Sequence, residues 1–443
     1  MNENRPLRQV FDLTDPGRNT IFNMSVDEAR AIVAGGDPEK VRGIDGHFAL
    51  VGRSGQIVRL ARSLGVPMRY FIAKQADGPV LVVADRIDAI RDFLVEHGMS
   101  DQFHPSYTRM APAHYVTEIA LLGCPDPNPT YTRFFTPQRE TLPKDTAAIG
   151  KAYIGALDNG ITKHLQRIPA DEPIGVCFSG GIDSGAVFLV TYHAMLRLGM
   201  NPGRLKAFTL SVDGGGEDLD QARRFLEQTD AAMFHEPIEV HLADIDAEET
   251  IRVVEDYKPL DVQAAAMTLA LCRGIRSRYP QWKYLLDGDG GDENLKDYPI
   301  EENPELTIRS VLNNLMLYHE GWGVDSIKHS LTFTGGLSRG CTRTYAPAAT
   351  MGFSSFSPFT LPSVVEVAEG IPFIALTDWQ HEALYRLKGE VVARGVEAVT
   401  GVTMPVFEKR RFQHGAVRKD ALERRMPDSP DKYRRMFHAV FDN

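Results

Sequence analysis

Two glycine-rich acidic stretches carry the residues best suited to chemistry. Ser179-Gly180-Gly181-Ile182-Asp183-Ser184 follows a short apolar run, Ile174–Phe178, and opens a strongly apolar stretch, Ser184–Leu198. Two glycines let a backbone turn tightly and approach phosphate oxygens, while a following helix offers unpaired N–H groups and the positive end of its dipole. Ser179 and Ser184 add hydroxyl donors. Asp183 would repel a phosphate unless a divalent cation lay between them, so its presence implies magnesium. The G-x-x-x-x-G-K-[ST] pattern of a Walker loop is absent. The second stretch, Asp287-Gly288-Asp289-Gly290-Gly291-Asp292-Glu293, follows the apolar Trp282–Leu286 and offers a hard-cation site. A calcium EF-hand loop fails there, because its twelfth position is Tyr298 where a bidentate Glu is required. The plainer alternatives are an ordinary strand-to-helix turn and an acidic surface turn.

Both stretches need strands that end side by side. From about residue 144 strands and helices alternate in the pattern. Helical periodicity runs over Asp145–Gln166, Ser184–Leu198, Asp218–Gln228, Ala243–Glu255 and Ala264–Arg278. Strand patterns cover Ile174–Phe178, Leu205–Val212, Phe234–Val240 and Trp282–Leu286. Such alternation means a parallel sheet with helices on both faces, an α/β fold in which ligands bind beyond the carboxyl ends of strands. Helical patterns such as Trp379–Arg394 dominate after about residue 303 and predict a helical C-terminal part. Residues 1–143 read as a smaller β-rich N-terminal domain, with a hairpin at His47–Gly52 and Gln56–Leu60 and strands at Arg69–Ala73 and Pro79–Ala84. Residues 144–443 form the larger domain.

The bulk properties narrow the function classes. A net charge of -10 with a pI near 5.8 argues against a nucleic-acid partner, which calls for a basic face. The longest apolar runs are strand-length, far short of the ~20 residues that cross a membrane. The polar start Met-Asn-Glu-Asn-Arg-Pro lacks the apolar run of a secretory signal. Four cysteines, Cys124, Cys177, Cys272 and Cys341, show no C-x-x-C spacing, which fits a reducing cytoplasm.

As an ordered set, S-G-G-x-D-S followed by G-[ED]-G-x-D-E resembles the synthetase domain of asparagine synthetase and its relatives, β-lactam synthetase and carbapenam synthetase. The resemblance covers roughly residues 145–420. It implies an adenine nucleotide alpha hydrolase-like sheet, ATP and Mg2+ as cofactors, and activation of a carboxylate as its acyl-adenylate. It would make Asp183 and Asp292 the magnesium ligands, and place the adenosine-phosphate pocket near Phe178, Leu210 and Gly288. Glu408-Lys409-Arg410-Arg411-Phe412-Gln413-His414-Gly415 resembles the family's late K-x-x-F-x-x-G stretch. Lys409 would then stabilise the charge that grows on phosphoryl oxygens during adenylation; taken alone, the same run reads as a solvated basic face. Asp289 takes the position of a glutamate or tyrosine and is a candidate general base on an incoming amine, its alternative being a turn or magnesium-shell residue. Arg343 is a further pocket candidate from the same comparison.

Two departures refine the expectation. Gly46-His-Phe-Ala-Leu and Arg62-Ser-Leu-Gly-Val-Pro-Met-Arg-Tyr70 resemble the later half of the family's glutaminase domain. Asn2 stands where the nucleophilic cysteine would be, and no cysteine occurs before Cys124. The N-terminal domain is therefore expected to be a shortened, glutamine-independent remnant, serving as scaffold or homodimer contact. In the acceptor segment, Gly352-Phe-Ser-Ser-Phe-Ser-Pro-Phe359 puts Ser354 where the family has glutamate and Phe356 where it has arginine. A less charged pocket would favour a more apolar or aromatic carboxylate. The resulting expectation is a carboxylate–amine ligase acting on small molecules and releasing AMP and pyrophosphate. An adenylating enzyme with a sulfur acceptor and a degenerate nucleotide-binding regulator are the alternatives.

Overall fold

The structure, a computed structural model, describes residues 9–75, 78–121, 128–297, 307–313, 341–407, 415–417 and 419–441. Its strands in chain order are β1 Val10–Asp12, β2 Thr20–Ile21, β3 Gly46–His47, β4 Ala49–Ser54, β5 Ile57–Arg62, β6 Arg69–Gln75, β7 Gly78–Ala84, β8 Arg109–Met110, β9 Tyr115–Ala120, β10 Thr130–Arg133, β11 Ile174–Cys177, β12 Leu205–Val212, β13 His235–Val240, β14 Tyr284–Leu286 and β15 Ser354–Phe356.

The N-terminal region is β-rich. One sheet has the order β1-β7-β6-β8, a second β10-β9-β5-β4, and β2 pairs with β3. The expected hairpin is the antiparallel pair β4–β5, with Ser54 opposite Ile57. Gly55 takes φ +60 in its turn, a conformation that costs glycine little. Val58, Leu60, Tyr70, Leu81 and Val83 meet between the two sheets in one apolar cluster.

The rest of the described chain builds on one five-stranded sheet, β13-β12-β11-β14-β15, in which every pair is parallel. Helices must cover both faces of such a sheet, and two apolar clusters lie against it. One joins the helices Thr146–Leu165, Ile182–Arg197 and His381–Thr400 to β11. The other joins the helices Ala247–Val254, Pro259–Arg278 and Pro430–Phe441 to β12 and β13. Asp145 caps the first of these helices by accepting from Ala147 N, and Pro259 begins another at the first-turn position where no N–H is missed. The expected strands and helices are present, most with small shifts at their ends; the helix expected over Ala264–Arg278 begins five residues earlier, at Pro259, and that over Trp379–Arg394 runs from His381 to Thr400. The expected helix over Ala243–Glu255 starts later, at Ala247, behind a 3-10 turn at Leu242–Asp244. β15 was read from the sequence only as part of a motif. No helix among the described residues is long and apolar enough to cross a membrane.

Candidate active site

β11 and β14 are neighbours in register, Val176 beside Leu286, so both glycine stretches leave the sheet at the same edge. Phe178 is buried and its N–H donates to Phe208 O at 2.8 Å, carrying the β11 ladder one residue further. The chain then turns through Gly180, at φ +73, where a Cβ would sit 2.7 Å from Ala222 N. Only glycine fits that approach. Gly181 caps the helix Ile182–Arg197 without any side-chain hydrogen bond. Ser179 Oγ lies 3.2 Å from Ser184 Oγ and accepts from Gly181 N at 3.3 Å, so the two hydroxyls satisfy the loop itself. Leu210 lies on the part of β12 beyond the last β11 partner, Phe208, and its side chain belongs to the core.

The second loop lies against the first. A Cβ on Gly288 would stand 3.0 Å from Ser184 N, and one on Gly291 would run into the Asp183 carboxylate. Asp287 is buried; its Oδ1 accepts from Asp289 N at 3.0 Å and its Oδ2 from Ser357 Oγ at 3.0 Å. Burial pushes the Asp287 carboxyl up to about 7 despite those two donors. Burial, then repulsion from Asp287, pushes Asp289 well above the ordinary carboxylate range, with Thr344 and Arg343 opposing. Asp289 Oδ2 is shielded from solvent and has no hydrogen-bond partner among the described residues. Asp183, Gly288, Asp289, Gly290, Asp292, Glu293 and Arg343 line the resulting cleft. Arg343 donates to Asp261 Oδ1 at 3.2 Å, and the carboxylates around it hold its pKa up against burial.

Lys388 enters the site from a distant helix, with no motif in the sequence to mark it. This residue, 2% exposed, lies on the helix His381–Thr400 and sends its ammonium between the two loops. Nζ stands 2.7 Å from Asp183 Oδ2, also bonds Asp292 Oδ1, and lies 3.4 Å from Asp297 Oδ2. Burial works against the charge, but the three carboxylates outweigh it and hold the ammonium well above its usual pKa. The sequence carries a signal for its burial but not for its partners: Leu384, Leu387, Val391 and Val392 make a buried helical stripe, and Lys388 falls on it. A lysine there demands a buried acid partner.

The expected metal ligands Asp183 and Asp292 therefore converge on one cation, here the Lys388 ammonium. Magnesium is commonly held by one or two carboxylates together with substrate phosphates, and these two fit that role. Lys409 lies outside the described residues. The expected acceptor pocket requires a correction. Ser354 and Phe356 do not line the cleft. Phe356 is buried and stacks on His164 at 4.0 Å, with His47 at 5.2 Å. Ser354 pairs with Tyr284 at the other end of β15, away from the strand tips. Alternate residues of a strand share a face, and that face is turned toward the helix Thr146–Leu165. Ser357, just past the strand, reaches the acidic loop with its side chain, whereas Phe356 does so only through its carbonyl, which accepts from Asp287 N at 3.2 Å.

The sequence that builds this site has known relatives. The family model for asparagine synthase matches residues 156–438. Among curated relatives, glutamine-hydrolyzing asparagine synthetase 2 of Lotus japonicus is 26% identical over 54% of this chain and 37% of its own length. Asparagine synthetase 1 of the same plant is 29% identical over 39% of this chain and 28% of its own. The enzyme of Asparagus officinalis is 28% identical over 38% and 28%. The chain thus spans little more than a third of these relatives at most. With a family match that takes in more than half of its residues, the chain belongs to the asparagine synthase family.

Proposed function

We propose that this chain is an ATP- and magnesium-dependent ligase that adenylates a carboxylate and passes the acyl group to an amine or ammonia, without glutamine. Asparagine synthase chemistry is ATP-dependent amide-bond formation. The observation that carries the reading is the pair Asp183 and Asp292 closing on a single cation at the meeting of the two glycine loops. Among the described residues, four cleft carboxyls, Asp183, Asp289, Asp292 and Glu293, face one guanidinium, Arg343, with Lys388 beside them. So acidic a cleft takes a polyphosphate only with divalent cations between the charges. Magnesium, when bound, supplies that neutralisation and polarises the phosphoryl oxygens.

The chain's own residues do the rest. The loop Ser179–Ser184 and the uncapped start of its helix receive the phosphates. Lys388, whose ammonium lies beside Asp183 and Asp292, would set its charge against the departing pyrophosphate, and Lys409 is assigned the same task. The substrate carboxylate oxygen attacks the α-phosphorus, and the bond to the β-phosphate oxygen breaks. The amine nitrogen then attacks the acyl carbon and AMP leaves with the acyl C–O electron pair. Asp289, in its carboxylate form, takes the amine proton; burial and the neighbouring Asp287 raise its affinity for it. We assign residues 144–443 to the synthetase domain and residues 1–143 to a degenerate amidotransferase-like domain, in a cytoplasmic enzyme. No cysteine lies in residues 1–123, and glutaminase activity is expected at background.

A screen of carboxylates by magnesium-dependent ATP–pyrophosphate exchange tests the proposal. A carboxylate that drives exchange supports it, and Asp183→Ala should abolish that exchange with the fold intact. Nucleotide binding with no exchange for any carboxylate would favour the regulator reading instead.

A further inference from the structure

The N-terminal region reaches the acidic loop through one buried histidine. His47, on β3, is 4% exposed, and its Nε2 lies 3.0 Å from Thr360 Oγ1. Thr360 Oγ1 lies 2.8 Å from Ser357 O. A carbonyl only accepts and a hydroxyl has one proton, so Thr360 donates to Ser357 and must accept from His47. His47 is therefore an Nε2–H donor, in keeping with burial pulling its pKa down to about 4 and leaving the ring neutral. From Ser357 the bonding continues: its Oγ donates to Asp287 Oδ2, and Asp287 Oδ1 receives Asp289 N.

Other features fix the same path. Gly65 leaves room for the imidazole, because a Cβ there would run into the His47 ring. Gly46 takes φ +127 to bring β3 against Thr20, where a side chain would collide with the Thr20 carbonyl. Phe356 lies beside the ring at 5.2 Å. At the far end the Thr360 methyl would stand 2.9 Å from a Cβ on Gly290, so Thr360 touches the acidic loop directly as well. Buried hydrogen bonds of this kind, each made in a low-dielectric interior, hold their members in one geometry.

We propose that His47 is a positioning residue: through Thr360 and Ser357 it holds Asp287, and hence the loop that carries Asp289 and Asp292, in the geometry that receives magnesium pyrophosphate. The N-terminal region thereby becomes part of the synthetase machinery. This inference rests on the ligase reading above.

The test is calorimetric titration of magnesium pyrophosphate into the full chain and its variants. Thr360→Val keeps the shape and removes the hydroxyl; Thr360→Ser keeps the hydroxyl and removes the methyl. Val should weaken binding at least about fivefold and Ser less than about twofold, the order that hydrogen-bond loss rather than packing loss dictates. His47→Leu should match Thr360→Val; if it fails to fold, the threonine pair decides. Wild-type binding with Thr360→Val within about twofold overturns this inference alone, as does equal loss in both threonine variants. A wild-type chain that does not bind magnesium pyrophosphate overturns the ligase reading, and this inference with it.

Discussion

At the scale of single residues, the centre of the site is a charge problem solved by Lys388. One buried ammonium serves Asp183, Asp292 and Asp297. Removing one partner of a buried ion pair is costly because the remaining charges stay desolvated. Lys388→Ala should therefore lower stability in magnesium-free buffer by about 3 kcal/mol, the low end of the range because Asp292 is 35% exposed. Added magnesium should recover part of the loss, and should raise the unfolding midpoint of the variant more than that of the wild type. Denaturant unfolding with and without magnesium measures both. Asp183 and Asp292 were legible in the sequence because acidic residues on glycine turns have few uses. Lys388 was not: local pattern placed it on a helix, and only tertiary packing brings that helix across the strand tips.

At the scale of elements, the site depends on close approach between helices and loops. The helix carrying Lys388 crosses the helix Thr146–Leu165 at two glycines, and a Cβ on Gly395 would collide with the Gly150 carbonyl. Gly395→Ala should cost about 1–3 kcal/mol by overpacking. It should also weaken magnesium pyrophosphate binding, since Lys388 lies about two turns earlier on the same helix; unfolding curves and calorimetry read the two effects. Most elements were legible because apolar periodicity separates a buried strand such as β12 from an amphipathic helix such as Asp218–Gln228. β15 escaped because three residues, Ser354–Phe356, show no period, and the segment's resemblance to the family's acceptor motif assigned Ser354 and Phe356 to a pocket. Its strand character comes from pairing with β14.

At the scale of the whole molecule, the N-terminal region and the main sheet are joined by buried charge as well as by His47. Arg69 on β6 donates to Glu255 at 2.7 Å, both residues being almost fully buried, and Glu255 closes the helix Ala247–Val254. Arg69→Met should cost about 3 kcal/mol, the low end of the range because Arg86, 3.6 Å from Glu255 Oε1, still faces the carboxylate, measured by equilibrium unfolding. The pH dependence of stability follows from groups whose pKa burial shifts. Asp256 and Asp287, both raised to about 7, favour the folded chain at low pH; that contribution is full below about 3.8 and is lost as pH climbs through about 7. His47 and His164, lowered to about 4 and about 3, act in the opposite sense, their stabilisation being lost as pH falls below 6.5. Comparison with Asp287→Asn isolates one of the carboxyl contributions. The variant should gain stability relative to the wild type as pH rises from about 4 to about 7, and thermal unfolding across that range checks the sign.

The sequence by itself determined the parallel α/β sheet, the two glycine loops at its edge and the acidic residues they present, because periodicity and turn chemistry are local properties of the chain. It could not determine which side chains from distant segments enter the same space. Lys388, Ser357 and His47 come to the acidic loop only through packing of elements far apart in the chain, and Phe356 turns away from it because its strand face is claimed by the core. Burial also set the pKa of Asp287 and Asp289, since desolvation depends on what surrounds a group rather than on its neighbours in sequence.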